Sequence, residues 1–180
     1  TGVQTCALPI SRTGVGTIAL VDLDDICISN VNRQLHALDG QIGRSKVEAM
    51  AERIQMIHPG GVVEAMPFFY MPETVSEFFE KPFDYVIDAI DNVANKSCLI
   101  AECKRRGIRV CCCGGAGGRR DPTQIRSADL SESTHDRLLQ KVRETLRKEH
   151  GFPREGKKFG VDCVYSPEPQ VFPAKDGSVC

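Results

Sequence analysis

No run in this sequence approaches the roughly 18 apolar residues that a membrane-spanning helix needs, so that class of element is excluded from the chain as given. Thr1–Ile10 has no charged n-region and too short an apolar stretch for a signal peptide. No C-x-x-C pair occurs among the nine cysteines, and His36, His58, His135 and His150 show no metal-ligand spacing, so no structural zinc is expected. The odd cysteine count and irregular spacing argue against a disulfide scaffold and for a reduced, cytoplasmic protein. A membrane contact through a further C-terminal segment stays open. Net charge is also nearly absent, at −1. With 41% hydrophobic residues over 180 positions, the chain can bury the core of one domain, which excludes disorder.

The small net charge hides an asymmetry. Lys104–Lys158 holds 15 Lys/Arg against 7 Asp/Glu, and the remainder holds 8 against 17. A basic block beside an acidic one points to a polyanionic partner such as nucleic acid; a solvated helix face plus a basic loop accounts for it equally well.

Thr1–Ile10, T-G-V-Q-T-C-A-L-P-I, looks like a translated sequencing-library adapter, so fold reasoning starts near Ser11. From there strand-like and helix-like segments alternate. Thr17–Val21 is a short apolar run ending at Asp22. Val47, Met50, Ala51, Ile54 and Ile57 follow helical spacing until His58-Pro59-Gly60. Val62-Val63 opens a strand, Pro72–Glu80 reads as a helix, and Phe83–Ile87 as a strand. Val93–Arg106 reads as a helix closed by Gly107, and Ile108–Cys113 as a strand. Leu138, Leu139, Val142 and Leu146 form the apolar stripe of a later helix. The pattern predicts an α/β, Rossmann-like, doubly wound and mainly parallel sheet.

Ligands in such sheets bind beyond the carboxyl ends of the strands. Asp22 and Asp24, Asp91 and Asn92, and Gly114–Gly118 all fall there. Missing is a glycine-rich phosphate turn ahead of Asp22, because Gly14-Val15-Gly16 precedes a strand instead of following one. The sheet is therefore expected to lack its native first strand. Such a fragment is expected to be marginally stable and to bind ATP poorly. Val3–Ala7 could pair in the vacant place, without the glycines.

The segment D-L-D-D-I-C-I-S-N-V-N-R-Q (Asp22–Gln34), with Lys46 and Ile90-Asp91-Asn92 beyond it, resembles the nucleotide site of the ubiquitin-activating-enzyme-like superfamily of ThiF, MoeB and HesA. Residues 11–180 are accordingly expected to be a partial ThiF-type adenylation domain, truncated at both ends. The residue chemistry is compatible. Arg33 offers a fork of donors for phosphate oxygens, while Ser29 and Asn30 offer neutral hydrogen bonds. Lys46 opens a helix, where a cation opposes the dipole and a bound anion removes the conflict; taken alone it reads as a solvated lysine. The resemblance implies that Asp22 holds the ATP ribose, that Asn30, Arg33 and Lys46 bind the triphosphate, and that Asp91 supports Mg²⁺ and adenylation. Asp24, Ser29 and Asn92 stand beside them as further nucleotide-binding candidates.

R-Q-L-H-A-L at Arg33, G-G-A-G-G-R-R-D-P-T-Q-I-R from Gly114 and G-V-D-C-V-Y-S from Gly160 are similar to the tRNA threonylcarbamoyladenosine dehydratase branch. That resemblance implies adenylation of the threonyl carboxylate of the modified adenosine at position 37 of tRNA, then ring closure with loss of AMP. It also implies a homodimer and leaves room for a sulfur-transfer partner. The basic helix–loop region, about 119–160, supplies the RNA-binding candidates Arg119, Arg120, Arg126, Arg154, Lys157 and Lys158. Related activators use a cysteine to accept acyl or sulfur groups, which makes Cys163 a candidate, although adjacent Asp162 would raise its pKa. Cys111–Cys113 read as buried, inert thiols. Two other readings compete: an adenylyltransferase for a ubiquitin-like sulfur carrier, disfavoured by the absent C-x-x-C pairs, and a non-catalytic RNA- or protein-binding remnant.

Overall fold

In the computed structural model, which describes residues 3–154 and 156–171, the chain divides into two units, Thr1–Phe78 and Phe79–Cys180. The first begins with helix α1 (Val3–Ser11). Val3–Ala7 is thus helical and does not pair as a strand. The helix buries Ala7 and Leu8 in a cluster with Leu20, Val47, Met50 and Ile54. Its last carbonyls are taken up by the hydroxyls of Ser11, which donates to Leu8 O at 2.8 Å, and Thr13, which donates to Ile10 O at 2.7 Å.

Strand β1 (Thr17–Val21), helix α2 (Lys46–Ile57) and strand β2 (Val62–Met66) make a βαβ unit. β1 and β2 run parallel, with Thr17 opposite Val62 and Val21 opposite Met66. Helix α2 stops at His58, as its Pro59-Gly60 sequel predicts. The helix predicted over 72–80 is shorter. A 3-10 turn, Pro72–Thr74, leads into a single α-turn, α3 (Val75–Phe78).

The second unit holds β3 (Tyr85–Asp88), α4 (Val93–Arg106), β4 (Arg109–Cys113), β5 (Arg126–Asp129), α5 (Arg137–Glu149) and β6 (Asp162–Tyr165). The sheet order is β3-β4-β6-β5. β3, β4 and β6 are parallel, and β5 is antiparallel to β6. The strands therefore form two sheets, of two and four strands, each built on parallel pairing. Helix α4 ends as predicted, with Gly107 left-handed at φ 72°. Of the stripe on α5, Leu139, Val142 and Leu146 are fully buried and Leu138 half-buried. Each fully buried leucine is worth about 2–5 kcal/mol against alanine.

One carboxylate organises the loops around β5 and β6. Asp129 Oδ1 accepts from Ser131 N at 2.9 Å, Ser131 Oγ at 2.6 Å and Phe159 N at 3.0 Å. Asp129 Oδ2 accepts from Gly160 N at 2.7 Å and Val161 N at 3.3 Å. Burial pushes this carboxyl upward, but the donors of Ser131, Phe159 and Gly160 outweigh it and hold it below the usual carboxylate range. A group depressed on folding stabilises the protein above its unfolded pKa of about 3.9, and that contribution disappears as pH falls through the folded value. Asp129→Asn should cost about 1–3 kcal/mol at pH 7 through donors left unpaired. In urea melts across pH, the gap between parent and variant should narrow below about pH 4; a gap independent of pH would show that the charge of Asp129 is immaterial.

Candidate functional site

Asp22 and Asp24 lie just past the carboxyl end of β1, where the chain leaves the sheet. The loop that follows is fastened to the segment ahead of α2 by backbone pairs. Ile26 N–H donates to Arg44 O at 2.8 Å, Gly43 N–H to Ile26 O at 2.8 Å and Lys46 N–H to Asp24 O at 3.1 Å, with an antiparallel bridge between Asp25 and Ser45. This stitching sets Lys46 beside Asp24: Lys46 Nζ lies 2.6 Å from Asp24 Oδ2, with the lysine side chain 5% exposed and the carboxylate half-exposed. Lys46 is thus not a solvated lysine, and its counter-charge comes from the protein itself. Asp22 Oδ1 accepts from Asp24 N–H at 2.9 Å.

Asn30 ends a 3-10 turn, Ile28–Asn30, and Arg33 follows it. Asn30 is buried and its Oδ1 accepts from Cys27 N–H at 3.1 Å. Arg33 is exposed, its Nη1 donating to Ser29 O at 2.6 Å and Asn32 Oδ1 at 3.0 Å. The exposed guanidinium is therefore oriented by its own loop. The predicted residues Asp22, Asp24, Ser29, Asn30, Arg33 and Lys46 all belong to the first unit.

Sequence reasoning missed two buried side chains in this loop. Gln34 and His36 are 4% and 3% exposed, and neither the amide atoms of Gln34 nor the ring nitrogens of His36 have a hydrogen-bond partner among the described residues. Burial lowers the pKa of His36, and Lys46 lowers it further.

In the second unit, Asp91 is exposed between β3 and α4. Asn92 caps α4, its Oδ1 accepting from Asn95 N–H at 3.1 Å. Beneath them lies a pair that the sequence reading also missed. Lys96, fully buried, has its Nζ 3.1 Å from Asp88 Oδ2, while Asp88 is 1% exposed. The signal was present: Val93, Lys96, Ile100 and Cys103 share one face of a helix, which puts a lysine in an apolar stripe. Burial raises the Asp88 pKa, and Lys96 opposes that rise.

The glycine cluster after β4 meets the start of α5. Asp136 caps that helix through Leu139 N–H at 2.9 Å and accepts from Gly115 N–H at 2.8 Å. Gly114 must be glycine, since a Cβ there would collide with Asp136 Oδ2 and come within 3.1 Å of Tyr165 Cβ. Arg119 departs from the surface placement predicted for an RNA contact. Its side chain is 9% exposed, 3.7 Å from Asp136 Oδ2, and donates to His135 O at 2.9 Å. The physical reason is Asp136, an almost fully buried carboxylate that attracts the nearest guanidinium. Arg120, Arg126, Arg154, Lys157 and Lys158 are exposed. Arg147, Lys157 and Lys158 line a surface hollow with Ser131 and Glu132, and Lys158 Nζ lies 3.3 Å from Glu132 Oε1. Buried Glu168 fixes the turn after Arg119 by accepting from the N–H groups of Arg120 at 3.0 Å and Asp121 at 3.1 Å, which hold its carboxyl below the usual range.

Cys163 requires a correction. It is fully buried within β6, between β4 and β5, with Cys112 opposite it across the β4–β6 pairing. Far from being raised by Asp162, its pKa is lowered, first by a hydrogen bond with Cys112, whose own pKa is pushed up. With Cys163 0% exposed, its thiol is closed to an acyl or sulfur donor in this arrangement. Cys111 and Cys103 are pushed up to about 11 and about 12 by burial, in keeping with inert thiols. The described cysteines from Cys27 to Cys163 are free thiols; Cys180 lies outside the described residues.

The ThiF family model matches residues 4–154. The tRNA threonylcarbamoyladenosine dehydratase of Haemophilus influenzae is 50% identical over 165 residues, covering 91% of this chain and 63% of its own. The crystal structure of the Escherichia coli dehydratase in complex with ATP superposes with a TM-score of 0.91 at 44% identity, covering 96% of this chain and 71% of that one. The molybdopterin-synthase adenylyltransferase of Haemophilus influenzae matches 99 residues, 55% of this chain, at 29% identity. The chain spans 63–64% of the length of the curated bacterial dehydratases it matches.

Gly114→Ala should displace Asp136 from Gly115 and from the α5 cap together, lowering stability by about 1–3 kcal/mol in denaturant melts. Gly117→Ala, with nothing within 4 Å of the added methyl, should leave the melt close to the parent. Equal effects of the two would remove the steric argument.

Proposed function

The chain belongs to the ThiF family, in its tRNA threonylcarbamoyladenosine dehydratase branch, and from that membership we propose that it carries the ATP-handling part of an enzyme that dehydrates threonylcarbamoyladenosine in tRNA. The observation that carries the reading is the Asp22–Lys46 cluster at the end of β1, in a chain 44% identical to a dehydratase crystallised with ATP. The enzyme acts in the cytoplasm as a homodimer. Asp22 accepts hydrogen bonds from the ribose hydroxyls. Arg33 spreads its fork over phosphate oxygens, and Lys46 exchanges part of its pairing with Asp24 for the nucleotide's charge. That exchange costs little reorganisation, because Asp24 already holds the ammonium at the site.

Asp91 stands at the start of α4 for the adenylation step. Asp91, an exposed carboxylate, would hold Mg²⁺ together with the nucleotide phosphates. The ion would withdraw charge from the phosphate oxygens. The threonyl carboxylate attacks the α-phosphorus, pyrophosphate leaves, and an acyl-adenylate forms. An intramolecular nucleophile of the same modified side chain then closes the ring and expels AMP, so that one carboxylate oxygen departs with AMP. That nucleophile needs orienting more than activating. The exposed residues Arg120, Arg126, Arg154, Lys157 and Lys158 supply a sequence-independent grip on RNA phosphates. Arg119 supports that surface from within.

Incubating the enzyme, at the length of its relatives, with ATP, Mg²⁺ and tRNA bearing threonylcarbamoyladenosine should give a modified nucleoside lighter by one water on mass analysis. Arg33→Ala and Asp91→Ala should each abolish the change. An unchanged nucleoside, with ATP–pyrophosphate exchange appearing only when a carrier protein ending in Gly-Gly is added, would replace this reading by sulfur-carrier activation. Joint replacement of Arg154, Lys157 and Lys158 by alanine should weaken tRNA binding and flatten its dependence on log salt by about one per lost phosphate contact. An unchanged slope would take that loop out of the interface.

A further inference from the structure

A lysine buried in an apolar helix face is unfavourable unless every donor of its ammonium is engaged. In α4, Lys96 answers it with two backbone carbonyls and an ion pair. Lys96 Nζ donates to Asp88 O at 3.2 Å and to Ile90 O at 3.1 Å, and it forms an ion pair at 3.1 Å with Asp88 Oδ2, an oxygen that has no hydrogen-bond partner among the described residues. The other carboxylate oxygen of Asp88 accepts from Ile90 N–H at 2.9 Å. The short segment between β3 and α4 is thereby tied at Asp88 and Ile90 from below. It is tied again at Asn92, whose side chain caps the helix through Asn95 N–H. Asp91 lies between these two anchors, and its own side chain is exposed.

An apolar residue at position 96 would continue the stripe of Val93, Ile100 and Cys103 without the cost of burying a charge. The lysine does what an apolar side chain could not, holding two backbone carbonyls and a carboxylate of one turn in a fixed arrangement. We propose that Lys96 is a positioning residue that acts through Asp88 and Ile90 to fix the backbone presenting Asp91 to the reacting nucleotide. The assignment rests on the adenylation chemistry proposed above. Lys96 touches neither nucleotide nor RNA in this role; it sets where the Asp91 carboxylate stands.

A double-mutant cycle in the full-length enzyme, read by pyrophosphate release with modified tRNA, tests the assignment. Lys96→Met should lower kcat by about 100-fold, the scale of a displacement near 1 Å, with KM for ATP within about threefold of the parent. Lys96→Arg, which keeps a buried cation, should recover part of the loss. Adding Lys96→Met to Asp91→Ala should cost less than about threefold beyond the residual rate of Asp91→Ala alone, since both act through one carboxylate. A merely structural role predicts independent effects, so multiplicative losses in the cycle would overturn the proposal, as would a folded Lys96→Met enzyme with normal kcat. Should the single variants fail to fold because one charge is left unpaired, Asp88→Asn combined with Lys96→Gln removes both charges at once, and the same loss of kcat is expected of it. Hydrogen–deuterium exchange gives an activity-independent arm. The amides of residues 88–92 should exchange at least about tenfold faster in Lys96→Met, while those of α5 stay protected. Unchanged exchange at 88–92 would overturn the proposal even if the parent enzyme proves inactive on this tRNA. Faster exchange in an inactive parent would instead leave the positioning intact and discard the dehydratase reading.

Discussion

Side-chain oxygens taking up backbone N–H groups where strands end and helices begin are the interaction on which this chain's organisation rests. A chain leaving a parallel sheet has donors that the ladder no longer satisfies, and burying them unpaired is costly. Asp22 answers for Asp24, Asn30 for Cys27, Asp88 for Ile90 and Asn92 for Asn95. Asp136 serves both Gly115 and Leu139, while Glu168 serves Arg120 and Asp121. The polar residues at the strand ends are therefore scaffold, and several of them are also the candidate nucleotide-binding residues. Asp22, Asn30 and Asn92, assigned to nucleotide by resemblance, already carry a local duty that shapes the loop presenting them.

The same economy redraws the charge map. The block of 15 cations against 7 anions in Lys104–Lys158 suggests an open basic face. Much of it is spent internally. Lys104 donates to Gly160 O, Arg105 and Arg106 both engage Glu102, and Arg119 pairs with Asp136. Arg143 donates to Ser133 Oγ, and Arg147 lies 5.2 Å over the ring of Phe159. The cations left exposed include Arg137, Lys141 and Lys148 on α5 as well as Arg120, Arg126 and the loop of Arg154, Lys157 and Lys158. The basic surface open to a polyanion is thus smaller than the composition suggests.

Regular elements with strong periodicity were legible in the sequence. β1, α2, α4, β4 and α5 follow apolar spacing and stop signals that local chemistry fixes. β5 was not legible, because Arg126-Ser127-Ala128-Asp129 has no apolar alternation and is a strand through its pairing with β6. The helix read over 72–80 failed for the opposite reason: favourable start chemistry at Pro72 was not followed by enough burial to extend it beyond Phe78. At the candidate site, residue types were legible and their engagement was not. Nothing in the local sequence announces that Lys46 meets Asp24 across 22 positions, or that Arg119 meets Asp136 across 17. Cys163 shows the limit of nearest-neighbour reasoning, since the group that governs it is Cys112 on the adjacent strand and not Asp162 beside it in sequence.

The antiparallel strand β5 closes one side of the four-stranded sheet. It is four residues long, bounded by Arg126 and Asp129, and its first two residues are exposed. A long, flat, apolar margin would invite ladder growth by other chains, whereas a short one bearing charge at both ends offers a poor template. Brevity and charge at this margin therefore guard against edge-to-edge strand pairing, in a sheet whose strands β4 and β6 are rich in Val and Cys.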